Sequence, residues 1–118
     1  MIKVKRIYES PMPGPGDGKR ILIDRLWPRG LRKDEVAVDE WMKDIAPSSQ
    51  LRRWFGHDPA KWEEFKKRYW GELEGKRAFL EKVRRDAGRG TITILYGAKD
   101  TEHNNAVALK EFLGTERT

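Results

Sequence analysis

Two short segments concentrate the residues that could do chemistry. The first is Asp24-Arg25-Leu26-Trp27-Pro28-Arg29-Gly30, and the second is Tyr96-Gly97-Ala98-Lys99-Asp100-Thr101-Glu102-His103-Asn104-Asn105. Asp24 and His103 are the candidate proton acceptors, the groups a hydrolase or transferase would use as general base. Arg25, Arg29 and Lys99 supply positive charge, and arginine can grip a carboxylate or phosphate with two parallel hydrogen bonds. Asp100 and Asn104 complete a candidate ligand-binding set. Each residue also has a structural reading. Asp24 could pair with Arg25 or Arg29 and organise a loop, since a buried carboxylate needs partners. Asp100 could be a helix N-cap, with His103 in the first turn, where the positive end of the helix dipole keeps imidazole neutral. Trp27 could anchor a core or form a stacking wall. His57, between Gly56 and Asp58, is explained by a staple contact with Trp62.

Other chemistries have no residues to run on. The chain has no cysteine, which removes disulfides, thiolate nucleophiles and cysteine-ligated metals. The two histidines lack a metal-ligand spacing, and there is no P-loop, dinucleotide fingerprint or serine nucleophile elbow. No metal and no cofactor are expected.

Both polar segments follow a run of strand character. Residues 20–24 (Arg-Ile-Leu-Ile-Asp) form an apolar run ending in a carboxylate, and residues 91–96 (Thr-Ile-Thr-Ile-Leu-Tyr) are β-branched and flanked by Gly90 and Gly97. Residues 2–7 alternate as a third strand. Residues 10–18, with three prolines and three glycines, read as an exposed linker. Ser48 caps a short helix ended by Gly56, and Asp58-Pro59 opens a longer one with the stripe Trp62, Phe65, Tyr69 and Leu73. Gly75 interrupts it before Phe79, Leu80, Val83 and Ala87, and a last helix is expected over about 101–113 with Ala106, Leu109 and Leu113 inward. This order predicts a single small α/β domain spanning 1–118, mainly a parallel sheet with helices on both faces. If the strands at 20–24 and 91–96 are parallel neighbours, the polar segments leave the same sheet edge, where ligands of open α/β sheets bind.

The 118 residues carry 25 Lys+Arg against 19 Asp+Glu, with a sequence pI near 9.7. The N-terminal residues lack the apolar run of a signal peptide, and no stretch has the length of a membrane span. The expectation is a soluble, cytoplasmic protein without a membrane partner; the sequence leaves its oligomeric state open. The leading functional reading is an anionic small molecule bound at the strand ends. The alternative is a nonspecific nucleic-acid-binding module using Arg52, Arg53, Trp54, Lys66, Lys67, Arg68, Arg84 and Arg85, with Trp27 or Trp70 for stacking.

Several segments together carry a resemblance. Lys5-Arg6-Ile7-Tyr8, Leu22 through Gly30, Ala46-Pro47-Ser48 with Leu51, Arg52, Trp54 and Phe55, and Leu95 through Asp100 with Asn104 and Ala106 resemble the YeaO-like family. This is a bacterial and archaeal family of unknown function, similar over nearly the whole chain, and the resemblance implies no established activity. Members of the wider superfamily often carry a cysteine in the segment matching Tyr96 to Asn104, so thiol chemistry would not carry over to this chain. The resemblance implies that both strand-end segments belong to one site.

Overall fold

A computed structural model describes residues 1–115. Four strands, β1 (Ile2–Arg6), β2 (Lys19–Leu22), β3 (Glu40–Trp41) and β4 (Ile92–Tyr96), form one sheet in the order β1-β4-β2-β3. All neighbours are parallel, and β4 pairs along its length with β1 and through Lys19–Leu22 with β2. The parallel adjacency that the site requires is therefore present. β3 is two residues long, too short to give a periodic signal in the sequence.

Four α-helices follow: α1 (Ser49–Phe55), α2 (Trp62–Leu73), α3 (Arg77–Gly88) and α4 (Asn105–Thr115). Ser48 caps α1 by accepting from Leu51 N–H, and Gly56 ends it in the left-handed conformation. Asp58 and Pro59 open a short 3-10 turn that runs into α2. The α2 stripe of Trp62, Phe65, Tyr69 and Leu73 is buried as its spacing predicts, while Phe79 on α3 is exposed.

The sheet is parallel as expected, but its α-helices cover one face and loops the other, not helices both faces. Ile21, Ile92, Ile94 and Tyr96 face the larger core cluster, to which all four α-helices contribute. Leu22 and Leu95 point the opposite way, into a smaller cluster with Ile7, Val36 and partly buried Trp27 and Trp41. The strand order explains the division. Right-handed crossovers running in opposite directions along a parallel sheet lie on opposite faces. The connections β1→β2 and β2→β3 run one way and hold a single 3-10 turn, Lys33–Glu35, whereas β3→β4 returns across the sheet carrying α1 to α3.

Residues 10–18 prove to be more than a linker. Asp17 is buried against Lys5 Nζ at 2.6 Å and Arg20 Nη1 at 2.8 Å, and accepts from Gly14 N–H. Arg20 is fully buried and spends three more of its donors on the carbonyls of Ser10, Met12 and Ala37. The loop wraps a buried guanidinium, whose desolvation would be prohibitive without those acceptors. No helix among the described residues is long and apolar enough to cross a membrane.

Candidate functional site

Asp24 lies just beyond β2 and is held from three sides. Its Oδ2 accepts from Gly97 N–H at 2.9 Å, at the end of β4. Its Oδ1 accepts from Asn105 Nδ2 at 3.0 Å, and the same amide group also donates to Ile23 O. Trp41 Nε1 donates to its backbone carbonyl at 2.7 Å. A Cβ on residue 97 would sit 2.9 Å from Asp24 Oδ2, so glycine there permits the close approach. Burial is the largest influence on this carboxyl and raises it above the usual range, opposed by the Asn105 and Gly97 hydrogen bonds and the charge of Arg52. Neither Arg25 nor Arg29 pairs with it. Arg25 donates instead to the carbonyls of Pro47 and Ala46.

A cleft of about 710 Å³ opens over Asp24. Arg25, Arg29, His103 and Asn104 also line it, as the sequence suggests, and so do Arg52, Arg53 and His57 from α1 and the turn after it. The exposed side chains of Arg29, Arg52 and Arg53 make no hydrogen bond or ion pair among the described residues. Arg29 is fixed through its backbone, whose carbonyl accepts from Tyr8 Oη at 2.7 Å. Trp27 lines the cleft and also packs edge-on against Trp41 with 5.4 Å between centroids, so it serves as wall and anchor together. Phe55 and Phe65 supply apolar lining.

Two residues of the expected ligand set lie outside the cleft lining. Lys99 is exposed and does not line the cleft. Asp100 is no helix cap: it accepts from the N–H groups of Glu102 and His103, forming a tight turn that holds its carboxyl below the usual range. α4 begins only at Asn105, so the expected start near Thr101 is four residues early. Asn104 closes its first turn by accepting from Val107 N–H at 3.0 Å. His103 therefore stands before the helix, with Nδ1 2.9 Å from Asp100 Oδ2 and its ring edge-on to Trp62.

Other residues joined the site without a local signal. Arg52 and Arg53 read in sequence as part of a basic surface, and only the β3→β4 crossover brings α1 over the strand ends. Asn105 was visible as a polar residue at a helix start, but its grip on Asp24 was not. His57, expected to staple onto Trp62, takes a left-handed backbone (φ 57°) and sets its ring against Phe55. Much of the remaining basic set is neutralised, with Lys66 paired to Glu63 and Glu111 and Arg68 to Glu64. Trp70 is half-buried and donates to Ala108 O.

Residues 1–118 match the family described as the inactive DUF488-N3 subclade. The chain belongs to that subclade. It is similar to an uncharacterised protein of Mycobacterium tuberculosis, 39% identical over 112 residues covering 95% of this chain and 92% of the relative. The uncharacterised protein YeaO of Escherichia coli K12 is 38% identical over 112 residues, covering 95% of this chain and 96% of that protein. The YeaO-like resemblance of the sequence is thereby shown. No solved structure gives a significant match.

Proposed function

We propose that this DUF488-N3 protein binds a small anionic molecule, a carboxylate or phosphate, in the cleft above Asp24. One observation carries the reading: Arg29, Arg52 and Arg53 border a single cleft and none forms a salt bridge among the described residues. Three guanidinium groups without a salt bridge around one concavity repel each other, and an anion relieves that repulsion through charge-assisted hydrogen bonds. The volume falls in the range of small-molecule sites, about 300–1,000 Å³. Asp24, His103 and Asn104 provide polar contacts deeper in, and Asp100 acts by orienting His103. Binding is favoured over turnover, because both Asp24 oxygens already accept from the protein and the subclade is described as inactive. The lack of cysteine supports a cytoplasmic setting.

Thermal melts test this. A ligand that binds only the folded state raises stability by RT ln(1 + [L]/Kd), so phosphate or a simple carboxylate should raise the melting temperature of the wild type. Arg29→Ala should lose that gain while its unliganded stability stays within about 0.5 kcal/mol of wild type, as for a surface side chain without partners. A wild type indifferent to every anion, or an Arg29→Ala variant that is strongly destabilised yet still responds, would sink the proposal.

A further inference from the structure

Resting on the anion site just proposed, we infer that its ligand is a hydroxylated anion, a sugar phosphate or sugar acid by chemistry, because the cleft separates unspent donors from unspent acceptors. The donors are the exposed guanidinium groups of Arg29, Arg52 and Arg53. The acceptors lie inward. Asp24 takes one hydrogen bond on each oxygen, leaving a lone pair on each for a ligand. His103 lines the cleft, while Asp100, which holds its Nδ1, does not. In the tautomer that donates from Nδ1 to the Asp100 carboxylate, Nε2 is an acceptor. Nε2 has no hydrogen bond among the described residues.

A ligand complementary to both ends must carry an anionic group and, a few ångströms away, groups that donate. Hydroxyls and ammonium groups both donate, and charge decides between them. Four arginines line the cleft against one carboxylate, a field that repels a cation and leaves a neutral hydroxyl unaffected. Phe55 and Phe65, stacked on each other and almost fully buried, add apolar lining to the cleft. A site built to hydrogen-bond hydroxyls rejects the analogue that lacks them, because its buried polar groups are then left unpaired.

Calorimetric titration of matched pairs tests the inference. The pairs are glucose 6-phosphate against cyclohexylmethyl phosphate, and glucuronate against cyclohexanecarboxylate. Each pair keeps the anion and the ring size and removes the hydroxyls. The hydroxylated member of at least one pair should bind about tenfold tighter or more, and the pair that does so identifies the anion. His103→Phe should lower that ratio while keeping affinity for inorganic phosphate, and His103→Gln, which retains an acceptor, should restore part of it. Equal affinities within both pairs, tighter binding of the cyclohexyl compounds, or an unchanged ratio in His103→Phe would overturn the inference while leaving phosphate binding intact. Failure of inorganic phosphate and all four compounds to bind would remove the anion site itself.

Discussion

At the scale of single residues, the carboxyls that flank the two ends of β2 behave oppositely. Asp24 is raised by burial, so its ionisation opposes folding as pH climbs from the ordinary carboxylate value of 3.8 toward its folded value. Asp17 is lowered, chiefly by the Lys5 ammonium, then by Gly14 N–H and Arg20. Its unfolded form takes up a proton at a higher pH than its folded form. The stability it contributes is therefore complete above 3.8 and is lost as pH falls from there toward the folded value. Asp17→Asn should cost about 3–5 kcal/mol at neutral pH, because it strands the buried Arg20 charge. It should also flatten the acid limb of a urea-midpoint profile; a limb as steep as that of wild type would show that Asp17 does not titrate with folding. None of this was legible in the sequence. Arg20 stood at the head of an apolar run, and no pattern of residue types marks a guanidinium that will be satisfied by three distant carbonyls.

At the scale of elements, what was legible was what is periodic. The β-branched run at 91–96 and the 3-4-4 spacing of α2 depend only on neighbours in the chain, and both elements sit where that spacing puts them. Ends are harder, because several polar residues in a row offer rival caps. Asp100 and Asn104 both fit the N-cap preference, and the outcome turns on which turn the backbone can close. Asp100 closes the tight turn that presents His103, and Asn104 closes the helix. Asn104→Ala should accordingly destabilise the protein by about 1–2 kcal/mol in chemical denaturation, the range for a lost cap. A loss below about 0.3 kcal/mol would mean that α4 does not depend on that cap. The candidate site divides along the same line. Asp24, Arg25, Arg29, His103 and Asn104 flank strands that could be read directly, whereas Arg52, Arg53 and His57 reach the cleft through a long crossover.

At the scale of the whole molecule, the crossover directions place loops on one sheet face and helices on the other, and the cleft lies where both coverings end, beyond the strands. The strand order also carries a consequence for how the chain acquires its shape. β1 and β2 do not pair with each other; β4 lies between them and joins the two, and its residues 92–96 come late in the chain. A ribosome that has released the first ninety residues has made three strands, of which only β2 and β3 can pair, and through two residues each. The two edges of the future core must wait with their apolar faces uncovered, the exposure that invites aggregation during synthesis. Closing such distant pairs also raises the contact order and slows folding. A fragment ending at Gly90 should therefore show no cooperative unfolding transition, and a separate peptide spanning 91–118 should restore one on mixing. A sharp transition in the fragment alone would show that the first ninety residues nucleate without the strand that joins them.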